Sequence, residues 1–155
     1  MMHPNYTTRD ARPTDVGQMA DLLTQLFTIE QDFKVDPVKQ RAGLEMLLHA
    51  DQAQLFVVEA DGEVVAMASL QIVLSTVEGG PVGWVEDVIV DLHHREKGVG
   101  RMLLHHLEQW SDEHGLSRLQ LVADRSNRSA LDFCTRHSWH ETGLIVLRQS
   151  QSPGT

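Results

Sequence analysis

The stretch Arg95-Glu96-Lys97-Gly98-Val99-Gly100-Arg101 carries the residue types that bind an anion. Two glycines one residue apart let the backbone approach a ligand with no Cβ in the way. They also expose the free N–H groups of the helical turn that follows, a ready site for phosphate. Arg95, Lys97 and Arg101 bring cations to that turn in a chain whose formal net charge is −9. A helix start ordinarily favours acidic side chains, so the local reversal calls for an external anion.

The elements that must hold this loop lie on either side of it. Upstream, Trp84 to Val90 is rich in β-branched residues and reads as a strand ending at Asp91. Downstream, Val99, Leu103, Leu107 and Trp110 recur at helical spacing, with Met102 and Leu104 widening the apolar stripe. Taken alone, the glycine pair is equally an ordinary strand-to-helix turn. Its order is neither the G-x-x-x-x-G-K-[ST] of a nucleotide P-loop nor the G-x-G-x-x-G of a dinucleotide fold. The wider pattern is more specific. Arg95-x-x-Gly98-x-Gly100, preceded by Glu86-Asp87-Val88-Ile89-Val90, resembles the acetyl-CoA motif of the GNAT N-acetyltransferase superfamily. The resemblance continues in Asn127-x-x-Ala130-x-x-Phe133-Cys134 and covers nearly the whole chain.

That resemblance implies an enzyme that moves an acetyl group from acetyl-CoA to an amine, with no metal. It implies that Arg95, Glu96, Lys97, Gly98, Val99, Gly100 and Arg101 hold the pyrophosphate. The backbone of Val88, Ile89 and Val90 would pair with the pantetheine arm like an added strand, its last amide polarising the thioester carbonyl. Asn127, Ser129 and Ala130 resemble the segment that touches CoA further along.

An alkylamine of pKa about 10.4 is almost wholly protonated at neutral pH, so a carboxylate must take its proton, directly or through water. Glu86 and Asp87 are the candidates, and as strand neighbours they are expected on opposite faces. Glu86 is the expected base and Asp87 an alternative base or amine-binding group; otherwise one carboxylate faces solvent while the other pairs with a core arginine or histidine. The adjacent acids most resemble the diamine-type acetyltransferases. Where the family usually has a tyrosine to protonate the leaving thiolate, this chain has Cys134. A thiol with an ordinary pKa of about 8.5 is chemically able to donate. It is also a ring shorter, and a lone cysteine on the inner face of a helix is a small hydrophobe. Tyr6, the only tyrosine, lies in the first strand and is not expected to substitute.

Glu30, Asp32 and Asp36 lie in the stretch TIEQDFKVD, which in the family forms one wall of the acceptor site. Acids there favour a small acceptor with extra positive charge, or they are a solvated loop. The alternatives are a protein or peptide amine as acceptor, and an acyl-CoA-binding sensor without turnover.

Composition narrows the classes. The 155 residues suit one domain, expected over 1–148, with 149–155 a disordered tail. Acids outnumber Lys and Arg by 22 to 13, which argues against nucleic acid. The longest apolar run falls far short of the ~20 residues of a membrane span, and the first ten residues do not read as a secretory signal. One cysteine excludes an internal disulfide and fits a reducing cytoplasm. The histidines match no zinc spacing. The expected partners are acetyl-CoA and a small amine, with a homodimer also admitted.

The periodicities predict the order β-αα-βββ-α-β-α-β, which is similar to the GNAT layout; the resemblance implies an α/β fold with a mixed twisted sheet flanked by helices. Strands are expected over 6–12, 54–60, 63–77, 84–90, 119–122 and 140–148. The return strand from 63 is long enough to contain a bend or bulge. Thr14 or Asp15 should cap the first helix, Asp36-Pro37 should open the second, and Asp61-Gly62 should close a hairpin. Ser126 or Asn127 should cap the last helix.

Overall fold

Asp61 and Gly62 both adopt left-handed backbone, with φ of 52° and 80°. This is the requirement of a two-residue type I′ turn. It joins β2 (Ala53–Ala60) to β3 (Glu63–Ser75) in the computed structural model, which describes residues 4–152. Residues 153–155, part of the tail expected to be disordered, lie outside the described residues.

Among the described residues, five strands form one sheet in the order β1-β2-β3-β4-β5, where β1 is Tyr6–Asp10, β4 is Gly80–Val90 and β5 is Leu119–Leu121. The first four pair antiparallel, and β5 joins β4 in parallel. Strand alternation sends Leu55, Val57 and Met67 to one face, where α1 (Val16–Ile29) packs with Met19, Leu22, Leu23 and Leu26. Phe56, Val58, Ala66 and Ala68 point to the other, where α3 (Val99–Glu113) presents Val99, Leu103 and Leu107. The helical spacing of these residues makes the apolar stripe that each face requires.

Helix α2 (Pro37–His49) starts as its sequence requires: the Asp36 side chain accepts from the Lys39 N–H, and Pro37 occupies the first helical position. Asp15 differs from expectation. Its carboxylate does not cap α1; it accepts from the Arg12 N–H at 2.7 Å and from Arg9 at 2.7 and 3.0 Å. A 3-10 turn over Pro13–Asp15 follows β1, which ends at Asp10 rather than at residue 12.

Two sheet irregularities occur. Val58 pairs with Ala66 and Glu59 with Val64, leaving Val65 as the extra residue in the return strand. The other lies in β4 and positions the site described below. The strand expected over 140–148 is absent: residues 140–152 carry no regular secondary structure. Leu144, Ile145, Val146 and Leu147 stay exposed, at 62–86%. A strand exists only through its partner, and the adjacent β5 offers an edge of three residues. Among the described residues the last element is α4 (Arg128–Arg136), opened by Asn127, whose side chain accepts from the Ala130 N–H.

Candidate active site

The glycine loop forms a strand-to-helix connection with an alternating backbone. Glu96 and Gly98 are left-handed, with φ of 61° and 81°. Such alternation turns successive N–H groups toward a common point, the geometry of an anion-binding nest. Helix α3 begins at Val99 with no side-chain cap and no acid in its first turn. Val99 is buried and anchors the helix, whereas Arg101 is exposed in the first turn. The uncapped amides and Arg101 therefore suit a pyrophosphate. Arg95 and Lys97 are partly engaged: Arg95 Nε donates to the Val90 carbonyl at 3.0 Å, and Lys97 Nζ to the His93 carbonyl at 3.2 Å.

Two contacts that sequence reasoning missed hold the loop's entry. Gln25 of α1 donates to Asp91 at 2.9 Å and accepts from the Leu92 N–H at 3.2 Å. Tyr6 Oη and His94 Nδ1 stand 2.9 Å apart, tying β1 to the 3-10 turn over Leu92–His94.

Gly100 has a packing reason in addition to the one its spacing suggests. A Cβ there would stand 2.9 Å from Phe133 Cζ, so the ring of α4 fills the space beside it. Besides the ligand approach expected there, Gly100 thus permits the close approach of two helices.

Pairing between β4 and β5 covers only Gly83 to Val85 on β4. Beyond that point the strands part, and Val88, Ile89 and Val90 have no β5 partner. Apart from the Val90 carbonyl, which Arg95 holds, such a strand edge suits an extended amide-bearing chain, which is what a pantetheine arm is.

At the start of this opening β4 bulges. Met67 pairs with Ile89 and Ser69 with Glu86, so two β4 residues, Asp87 and Val88, stand against Ala68 alone. Asp87 takes φ 57°, a left-handed conformation that aspartate tolerates better than most residues. The bulge breaks the alternation that predicted Glu86 and Asp87 on opposite faces, and a single group, Glu30, feels the charge of both. The Glu86 carboxylate accepts from Trp84 Nε1 at 3.3 Å. Burial, then the charge of Glu86, pushes Asp87 up to about 6, against a weaker opposing bond from Ser69.

Glu30 follows α1 and is pushed up to about 7, first by burial and then by Asp124, Asp87, Asp32 and Glu86. These five carboxylates come from the loop after α1, the β4 bulge and the turn after β5. Asp124 was not singled out from the sequence. Its Oδ2 accepts from the Gln31 N–H at 3.1 Å, pinning the acidic loop. Bonds from Ser126 hold Asp124 below the usual carboxylate range. Asp32 binds Arg148 at 2.6 Å, and that guanidinium lies 5.4 Å from the centre of the Phe33 ring. The Arg148 bond holds Asp32 low. Asp36 belongs to the α2 cap instead.

Asn127 spends its carbonyl on the α4 cap, Ser129 is exposed in the first turn, and Ala130 is half-buried. Cys134 is half-buried on α4, and burial pushes its thiol up, so it is protonated at neutral pH.

Residues 18–139 match the Acetyltransferase (GNAT) family. The chain belongs to the GNAT acetyltransferase family. An aminoglycoside N(6')-acetyltransferase type 1 of Stenotrophomonas maltophilia is 29% identical over 73% of this chain and 72% of its own length. The uncharacterized N-acetyltransferase YhfO of Bacillus subtilis is 25% identical over 88% of this chain and 92% of its own. The fold is shared with the aminoglycoside N-acetyltransferase AAC(6')-Iy in complex with CoA, at a TM-score of 0.81 and 20% identity, covering 97% of this chain and 98% of that one. An aminoglycoside acetyltransferase from an uncultured soil metagenomic sample, in complex with sisomicin, gives a TM-score of 0.79 at 18% identity over 95% and 97%. This GNAT chain thus has the α/β fold expected of it and the N-acetyltransferase class. Among the described residues, no helix is long and apolar enough to cross a membrane.

Proposed function

We propose that the protein transfers the acetyl group of acetyl-CoA to a primary amine of a small molecule bearing more than one positive charge. The observation that carries this reading is the convergence of Glu30, Asp32, Glu86, Asp87 and Asp124 beside the opening between β4 and β5. Arg148 pairs with the exposed Asp32, and crowding the other, partly buried acids together is costly unless a cation joins them. A diamine or aminoglycoside-like polyamine supplies two: one ammonium to lose its proton, another to remain among the acids. The named activity of the Stenotrophomonas relative supports the same acceptor class.

In this reading acetyl-CoA supplies an activated acyl group. The amides of residues 98–101 and Arg101 hold its pyrophosphate, and the free edge of Val88–Val90 orients its arm. Asp87 is the base. A pKa near 6 keeps it ionised at neutral pH yet close enough to accept a proton from the incoming ammonium. The freed nitrogen bonds to the acetyl carbon, the carbon–sulfur bond breaks, and the sulfur leaves with the electron pair. Glu86 and Glu30 hold the acceptor's remaining charge. Cys134 packs α4, and the second nitrogen proton reaches the thiolate through water.

The test is release of free CoA thiol from acetyl-CoA across a panel of amines. Steady release that requires an amine supports transfer. CoA binding with no amine-dependent release would make the protein a sensor, and preference for peptide amines over small polyamines would move the acceptor.

A further inference from the structure

Ser69 lies in the middle of β3, 2% exposed, opposite the β4 bulge. Its Oγ is 3.0 Å from the Glu86 carbonyl oxygen and 3.2 Å from Asp87 Oδ2. A hydroxyl has one hydrogen to donate and also accepts. The Glu86 carbonyl can only accept. An ionised Asp87 can only accept as well, so the single hydrogen then serves one oxygen or the other. Once Asp87 carries a proton, both contacts are hydrogen bonds: Ser69 donates to the Glu86 carbonyl, and the Asp87 carboxyl donates to Ser69.

We propose that Ser69 is a positioning residue whose hydroxyl turns between Asp87 and the Glu86 carbonyl as Asp87 gains and loses the acceptor's proton. The proposal rests on the reading of Asp87 as base and adds to it the group that answers the proton's arrival. With Asp87 ionised, the hydroxyl faces the carboxylate and makes a charge-assisted bond, the stronger kind. On proton capture it swings to the carbonyl of Glu86 and receives the new O–H behind it. The site therefore trades one bond for two as it takes the proton. The strained backbone at Asp87 stays tied to β3 throughout. Two titratable groups face Asp87: Glu86 on its own strand and Glu30 from the end of α1. Both are acids, and neither supplies a hydrogen bond to it among the described residues. Ser69 alone does.

The experiment titrates Asp87 directly, so it does not depend on turnover. Protein labelled with 13C at the aspartate carboxyl is followed by NMR against pH, and the Asp87 resonance is the one missing from Asp87→Asn. In Ser69→Ala the ionised form loses its charge-assisted bond, which outweighs the two neutral bonds lost from the protonated form, and the midpoint moves up by about 0.5 to 1 pH unit. Ser69→Thr keeps the hydroxyl and stays at the wild-type midpoint. Ser69→Cys, similar in size but a weak donor, moves the same way as alanine. An unmoved midpoint in Ser69→Ala, or a threonine variant displaced as far as alanine, overturns the proposal. Should the wild type release no CoA with any amine, the base assignment fails while this titration still decides the Ser69–Asp87 coupling.

Discussion

The Phe133 ring occupies the space into which a side chain at Gly100 would project, with 2.9 Å left between a β-carbon there and Cζ. The second glycine of the pair thus seats α4 against α3, and the glycine loop and the Asn127 segment are built as one unit. Gly100→Val should push Phe133 aside, cost about 1–3 kcal/mol of stability as an overpacked contact, and weaken CoA binding through α4. Phe133→Leu should restore part of that loss in the Gly100→Val background. Calorimetric CoA titrations of the two single variants and the double variant check the coupling; simple additivity would place the glycine's role elsewhere.

Asp87 and Glu86 are separable by pH. With Asp87 as base, wild-type kcat/KM falls as pH drops through about 6, where the carboxylate protonates. Asp87→Asn should lose about 10²–10⁴-fold near neutral pH and recover toward high pH, where free amine is already present. Glu86→Gln should raise KM for a diamine with a smaller effect on kcat. If Glu86→Gln shows the larger loss in kcat and the altered pH limb, Glu86 is the base.

Glu30 makes a prediction about stability. Its folded-state pKa, about 7, lies above its ordinary value, so the native protein holds more protons than the unfolded chain between the two. Stability from this group is present at low pH and is lost as pH rises through about 7. The wild-type Tm should fall between about pH 5 and pH 8 by more than that of Glu30→Gln. A diamine added at the higher pH should restore part of the difference. Parallel Tm curves for the two proteins would mean that the acids are not coupled.

Cys134 is half-buried and protonated, and no hydrogen-bond partner engages its sulfur among the described residues. Cys134→Ala should cost stability through a small cavity and leave single-turnover acetyl transfer within a few-fold of wild type. A loss of about a hundredfold would make the thiol the acid that protonates the departing sulfur.

Much of the frame is local chemistry and so is readable in the chain. Asp36-Pro37 caps a helix, Asp61-Gly62 supplies two left-handed residues, and Val99, Leu103 and Leu107 mark the buried face of α3. The site is less local. An aspartate inside a run of β-branched residues reads as extended, so neither the left-handed Asp87 nor the loss of face alternation after Glu86 was visible. The packing reason for Gly100 lies 33 positions away in Phe133, and Asp124 and Ser69 matter only once the loop after α1 and the β4 bulge are in place. Leu144 to Val146 has the composition of a strand but not a partner long enough to make one.

The central claim is that clustered, partly buried acids select an amine with a second positive charge. The direct measurement is kcat/KM for a terminal diamine against the monoamine of the same chain length, in wild type and in Glu30→Gln, by CoA release. The account predicts at least about a tenfold preference for the diamine in wild type, roughly the 1.4 kcal/mol of one well-placed charge contact, and a clear reduction of that ratio in the variant. Equal kcat/KM for the two amines, or a preference untouched by Glu30→Gln, would contradict it.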